Sequence, residues 1–237
     1  MTEAELTQAC AALGDARKAV QRPAAEQLAQ AARSEPRIRA LLATELWSAD
    51  PRRRWGAAYA LAHVEGACAD AIPVLLEMFG TSDGDIRWAA ARLVVGAMPR
   101  VPDLAARLER LLESPSALQR KMALYCLRDG AAPGSVTTGS LVRALEDVDP
   151  AVRLAAMAAC LAVLPPGPEG ADLVAKLVAD ADAGVRRAAA ATLGRHGVAT
   201  ARVLEMLTGA AASSDATLAR VASQALSRLG CPVRMRP

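Results

Sequence analysis

Apolar residues recur along the chain at helical spacing, in short runs broken by charge, glycine and proline. SLVRALEDV and AVRLAAMAACLAVL are two such runs, separated by Asp149-Pro150. Asp is a strong N-cap because its carboxylate accepts the orphan N–H bonds of the first turn. Pro is tolerated at the first helical position, where its missing N–H has no partner to lose. Asp50-Pro51 repeats the signal. Clusters such as Met98-Pro99-Arg100-Val101-Pro102, Asp129-Gly130-Ala131-Ala132-Pro133-Gly134 and Pro165-Pro166-Gly167-Pro168 stop one helix and start the next. No alternating strand pattern competes. The pattern predicts about fourteen short antiparallel helices, stacked in pairs.

The runs repeat. DGDIRWAAARLVV, DPAVRLAAMAACL and DAGVRRAAAATLG share an Asp, two spacers, a β-branched residue, an Arg and a small-residue run. DPRRRWGAAYALA is a fourth copy, and weaker copies follow Arg17, Pro115 and Asp215. Anchored on the position after the apolar residue, the copies fall at Gln21, Arg54, Arg87, Gln119, Arg153, Arg186 and Ala219. Subtraction gives spacings of 33, 33, 32, 34, 33 and 33. Seven units follow, about 1–34, 35–67, 68–100, 101–132, 133–166, 167–199 and 200–237. They imply a single repeat domain over 1–237, because each unit can bury its apolar face only against its neighbours.

At 100° per residue, the second helix of each unit presents its core face at 0, +4, +7, +8 and +11 from the apolar residue before the anchor. Position +4 reads Ala24, Ala57, Ala90, Met122, Ala156, Ala189 and Ala222, a small row for close helix approach. Position +8 reads Leu28, Leu61, Val94, Cys126, Cys160, Leu193 and Leu226, a large row for the core. Cys126 and Cys160 therefore read as buried small hydrophobes rather than reactive thiols. Pro23 lies where the second helix of unit one should already be running, so that helix is expected to begin near Pro23 or kink there.

Composition narrows the function classes. Hydrophobic residues make up 53% but aromatics only 3%, so Ala, Leu and Val fill the interior. The net charge of +3 is too small to announce a nucleic-acid binder by itself. Two His, His63 and His196, leave little for metal or acid–base chemistry, and no metal or cofactor is expected. Five Cys without a C-x-x-C spacing fit a reduced chain, and no leader or membrane-length apolar run is recognised, so a cytoplasmic location is expected. The basic C-terminal CPVRMRP is expected to fray.

The Asp-x-x-Val-Arg-x-Ala-Ala signature resembles HEAT repeats, in particular the short variety of phycobilisome-lyase-like proteins. The resemblance implies an all-α, right-handed α-solenoid of about seven helix pairs. It also implies a structural ladder between the turn acids Asp50, Asp83, Asp149 and Asp182 and the helix residues Arg54, Arg87, Arg153 and Arg186. Gln21, Gln119 and Ala219 depart from it. Deoxyhypusine hydroxylase has a similar fold but carries His-Glu pairs for iron, which neither His here forms. Alkylpurine DNA glycosylases are also HEAT-like, but they are Lys-rich and no matching local motif occurs.

What remains is a surface. The resemblance places second helices on the concave face, where +2 and +6 point away from the core. Position +2 carries Arg22, Trp55, Trp88, Arg120, Leu154, Arg187 and Arg220. Position +6 carries Tyr59, Arg92 and Leu124 in the middle units. Trp, Tyr and Arg are the usual interface anchors. The candidate partner site is Trp55, Tyr59, Trp88, Arg92, Arg120 and Leu124; its competitor is that curvature packs the rings between helices. Trp47 and Phe79, at first-helix ends, and Tyr125, at +7, read as packing residues. The leading expectation is a non-catalytic scaffold or adaptor for a protein with an acidic segment. A bilin-lyase-like enzyme or accessory and a nucleic-acid binder remain as alternatives, and oligomeric state stays open.

Overall fold

The computed structural model describes residues 1–64, 68–165 and 167–231. Among them are fourteen α-helices and no strand. Unit one, Met1–Leu104, holds α1 (Glu3–Ala12), α2 (Lys18–Ala32), α3 (Pro36–Glu45), α4 (Pro51–Ala62), α5 (Cys68–Glu77) and α6 (Gly84–Ala97). Unit two, Ala105–Pro237, takes in all but the first residue of α7 (Leu104–Arg110). It continues with α8 (Ala117–Gly130), α9 (Thr138–Leu145), α10 (Pro150–Val163), α11 (Pro168–Ala175), α12 (Ala183–His196), α13 (Ala201–Ala211) and α14 (Ala216–Arg228). In unit one, α4 packs between α2 and α6. In unit two, α10 packs on α8 and α12, and α12 on α14. Each is a stretch of helical-pair solenoid.

Capping sets the period. Asp50, Asp83, Ser116, Asp149, Asp182 and Asp215 are the N-caps of α4, α6, α8, α10, α12 and α14, and each side chain accepts a first-turn N–H. Successive caps differ by 33 throughout. This corrects the sequence alignment of the fourth unit by one residue. Pro115 has no side-chain acceptor, so Ser116 caps instead, and Arg120 rather than Gln119 takes the anchor position. The small row then reads Ala24, Ala57, Ala90, Ala123, Ala156, Ala189 and Ala222, all seven buried. The large row gains Leu127 in place of Cys126.

The first second-helix also differs from expectation. α2 starts at Lys18 and contains Pro23 in its interior. Gln21, at the anchor position, is buried and donates from Nε2 to the carbonyls of Leu13 (2.7 Å) and Arg52 (3.0 Å). That tie holds the first turn upstream of the proline. The Ala19 carbonyl is left without its helical N–H donor.

The ladder is present with other acids than those expected. From each anchor, Arg Nη1 donates to carbonyls of its own interhelix turn: Ser48 for Arg54, Thr81 for Arg87, Ser114 for Arg120, Asp147 for Arg153 and Asp180 for Arg186. Asp50, Asp83, Asp149 and Asp182 cap their helices and receive none of these forks. The carboxylates that receive the guanidinium forks lie 27 residues on: Asp147 for Arg120 (2.7 and 2.8 Å) and Asp180 for Arg153 (2.7 Å twice). At the same offset from Arg54 stands Thr81, and Arg54 reaches Glu77 instead. Arg186 comes only within 3.9 Å of Asp215. Burial raises the Asp147 and Asp180 carboxyls, but the Arg forks and the N–H groups of Asp149 and Asp182 outweigh it, leaving both below the usual carboxylate value.

Candidate functional site

The residues that differ from unit to unit lie on the outward rows of the second helices. In unit one these rows build a groove of about 530 Å³, with Lys18 and Arg22 from α2, Trp55 and Tyr59 from α4, and Trp88 and Arg92 from α6. α4 lies between its two neighbours, so its rings are covered from both sides. Trp55 is only 7% exposed and meets Tyr59 edge-on, with centroids 5.6 Å apart at 60°. Tyr59 is half-buried; its hydroxyl lies 3.4 Å from Glu26 Oε1, and the Arg22 guanidinium sits 5.7 Å from its ring centre. Trp88 is 47% exposed, and Arg92, one turn further along α6, is exposed with no ion-pair partner among the described residues.

Lys18 closes one end of this groove. Its ammonium bonds to Asp83 Oδ1 at 2.9 Å and Asp85 Oδ2 at 2.7 Å, joining the first helix pair directly to the third. The two carboxylates hold the Lys18 ammonium above its usual range, and Lys18 in turn lowers Asp83. The remaining mouth carries Arg22, loosely paired with Glu26 at 4.0 Å, and Arg92. An aromatic floor with two cations at the rim can take an apolar side chain flanked by carboxylates.

Four of the six sequence-predicted residues thus meet: Trp55, Tyr59, Trp88 and Arg92. Trp55 was expected to face solvent; it forms the floor. Arg120 and Leu124 do not join them, and the one-residue register error explains why. Arg120 is a ladder residue bound to Asp147, and Leu124 is 0% exposed in the core of unit two. The outward rows there carry Lys121 and Tyr125 instead. Tyr125, read from sequence as core, is half-buried, with the Arg128 guanidinium 5.0 Å from its ring centre. The signal that could have found them was the unbroken Ala row, which only the corrected register produces.

Trp47, expected to pack, is 87% exposed, whereas Phe79 is fully buried as expected. The five cysteines form no disulfide among the described residues. Burial pushes the Cys126 and Cys160 thiols up to about 12, which suppresses thiolate chemistry. His63 caps the end of α4 and His196 ends α12. Among the described residues, no group of three or more His, Cys, Asp and Glu is placed to hold a metal, and no helix is long and apolar enough to cross a membrane. The basic end of the chain, 232–237, lies outside the described residues.

A family model described as HEAT repeats matches residues 6–96 and 138–227. Among solved structures, the chain is similar to the Escherichia coli protein YibA, with 18% identity over 97% of this chain and 82% of that one, at a TM-score of 0.61. It is also similar to the archaeal HEAT-like repeats protein from Thermococcus onnurineus, with 14% identity over 94% and 98% of the two chains, at a TM-score of 0.52. Identities this low carry the fold alone. No curated protein matches the chain in sequence. With the repeat period, the cap series and a family match over most of its length, the chain belongs to the HEAT repeat family.

Proposed function

We propose that the chain is a non-catalytic protein-binding scaffold or adaptor that holds an acidic segment of a partner in the α2–α4–α6 groove. The carrying observation is that one groove combines a half-exposed Trp88 and a half-buried Tyr59 with the rim cations Arg22 and Arg92. Exposed aromatics are interface anchors when they sit in a formed concavity. Open arginines steer and orient carboxylates. Five cysteines without a C-x-x-C spacing suit a reducing compartment, and a cytoplasmic location is part of this proposal.

The test is fluorescence polarisation with a labelled peptide of glutamates around one leucine, against its glutamine counterpart. Arg92→Glu should weaken acidic-peptide binding about tenfold or more with an unchanged Tm, since Arg92 makes no ion pair that folding needs. Trp88→Ala should weaken it by about 2 kcal/mol. Equal binding of the glutamine peptide, or wild-type binding by Arg92→Glu, would overturn the reading. Preferential binding of single-stranded DNA with a steep salt slope would replace the protein partner by a nucleic acid.

A further inference from the structure

A second groove in unit one, of about 590 Å³, opens between α3 and α5 rather than along the second helices. It has a built-in control. A groove of about 340 Å³ recurs in unit two 99 residues on, three repeat lengths later. Ala43, Leu46, Arg54 and Val74 in the first correspond to Val142, Leu145, Arg153 and Leu173 in the second. The apolar wall and its arginine are therefore products of the repeat. Three shared lining positions are not: Ser48 stands where unit two has Asp147, and two more set the chemistry of the rim, Trp47 where unit two has Glu146 and Glu77 where it has Lys176.

Those two exchanges act together. Lys176 becomes a carboxylate, so the rim loses its free ammonium. Glu146 becomes an indole, and that indole is 87% exposed. Asp70 and Glu77 lie on one face of α5, two turns apart. Glu77 Oε1 accepts from Arg54 Nη2, and Oε2 has no hydrogen bond among the described residues. Asp70 is exposed and has no ion pair among the described residues, whereas its counterpart Glu169 accepts a hydrogen bond from Thr138. An exposed indole beside two carboxylates selects a cation that is planar and weakly hydrated. A guanidinium stacks on the ring and gives its N–H fork to the acids; an ammonium is held in water more strongly.

We propose that the α3–α5 groove receives an arginine side chain of a partner protein, stacked on Trp47 and paired with Asp70 and Glu77. This surface uses other helices than the α2–α4–α6 groove and does not rest on the reading of that groove. The experiment titrates the full chain with acetyl-Gly-Arg-Gly-amide and with the citrulline peptide of the same shape, following the Trp47 indole N–H resonance, identified by its loss in Trp47→Ala. The arginine peptide should give a saturating shift at millimolar concentration, and the citrulline peptide should bind at least tenfold more weakly. Asp70→Lys should abolish the arginine shift while leaving Tm unchanged, because Asp70 is exposed and has no ion pair among the described residues. No saturating shift, equal shifts with both peptides, or an undiminished shift in Asp70→Lys would each overturn the proposal. Failure here leaves the acidic-peptide assay untouched, since that assay reads Arg92 and Trp88.

Discussion

Asp180→Ala should be among the most damaging single changes at the repeat junctions. Asp180 receives both arms of the Arg153 fork at 2.7 Å, and its Oδ1 also accepts the Asp182 N–H at 2.7 Å. The two side chains are 6% and 12% exposed, so water cannot replace the lost partner. Breaking a buried pair from one side costs about 3–5 kcal/mol, because a desolvated charge is left behind. Arg153 keeps the carbonyls of Asp147 and Val148, which moves the expectation to the lower end, about 3 kcal/mol. Adding Arg153→Met removes the stranded charge and should recover much of the loss. The equivalent rung in unit one is different in kind. Glu77 is about half exposed, so Glu77→Ala should cost about 1 kcal/mol or less. Urea unfolding of the wild type, Asp180→Ala, Arg153→Met, their double variant and Glu77→Ala measures these values, with the double-mutant cycle isolating the pair. A cost below about 1 kcal/mol for Asp180→Ala, or no recovery in the double variant, would show that the rungs are solvated contacts and not structural ties.

Two helix glycines should respond to the same substitution with opposite sign. A Cβ at Gly194 would lie 2.7 Å from the Ala225 Cα and Cβ, so Gly194→Ala should force α12 from α14 and destabilise by about 1–3 kcal/mol or more. A Cβ at Gly209 meets nothing within 4 Å, so Gly209→Ala should stabilise by about 0.5–1 kcal/mol in the same urea unfolding. Acid should loosen the rungs of unit two. The carboxyls of Asp147 and Asp180 lie below their ordinary value in the folded chain, so their contribution is full above about pH 4 and declines as pH falls through the lower folded values. Amide exchange at the α9–α10 and α11–α12 turns should rise below that pH in the wild type; in Arg153→Met/Asp180→Ala the rise should be far smaller at the α11–α12 turn alone, because Asp147 keeps its Arg120 partner.

The sequence carried the parts of the fold that repetition writes seven times. The period, the paired helices, the Asp caps of five repeats and the Ala row of six are legible because repetition states them again. Legibility failed where one unit says the same thing with other residues. Ser116 caps as Asp does, but a hydroxyl beside Pro115 carries a weaker signal than Asp-Pro, and a one-residue slip exchanged Arg120 and Leu124 for Lys121 and Tyr125. Asp147 and Asp180 were missed for another reason. A guanidinium chooses its partner by reach across the stack, and the nearer Asp149 and Asp182 had already been taken by the helix N-termini. Trp47 was misread because its place at a helix end says nothing about what lies above it.

Repetition also separates scaffold from surface inside this one chain. Rows held constant are explained by packing: Ala at +4 lets helices approach, and the anchor arginines tie each interhelix turn. A row free to vary has no such duty, and what stands there reflects contacts the stack does not make for itself. In unit one the free positions carry Trp55, Tyr59, Trp88 and Arg92 on one side and Trp47 with Glu77 on the other. Five of the chain's six aromatic residues lie in this unit, and Phe79 alone among the five is fully enclosed by the core. Aromatic area left near water is a cost that burial against a partner recovers. The second face differs in polarity from the first, carboxylates beside the indole instead of arginines beside the rings. A single partner segment cannot satisfy both, and two segments of opposite charge can. That combination is what the adaptor proposed above would use, and it is concentrated in the unit whose ladder lacks the buried Arg–Asp rungs of the other.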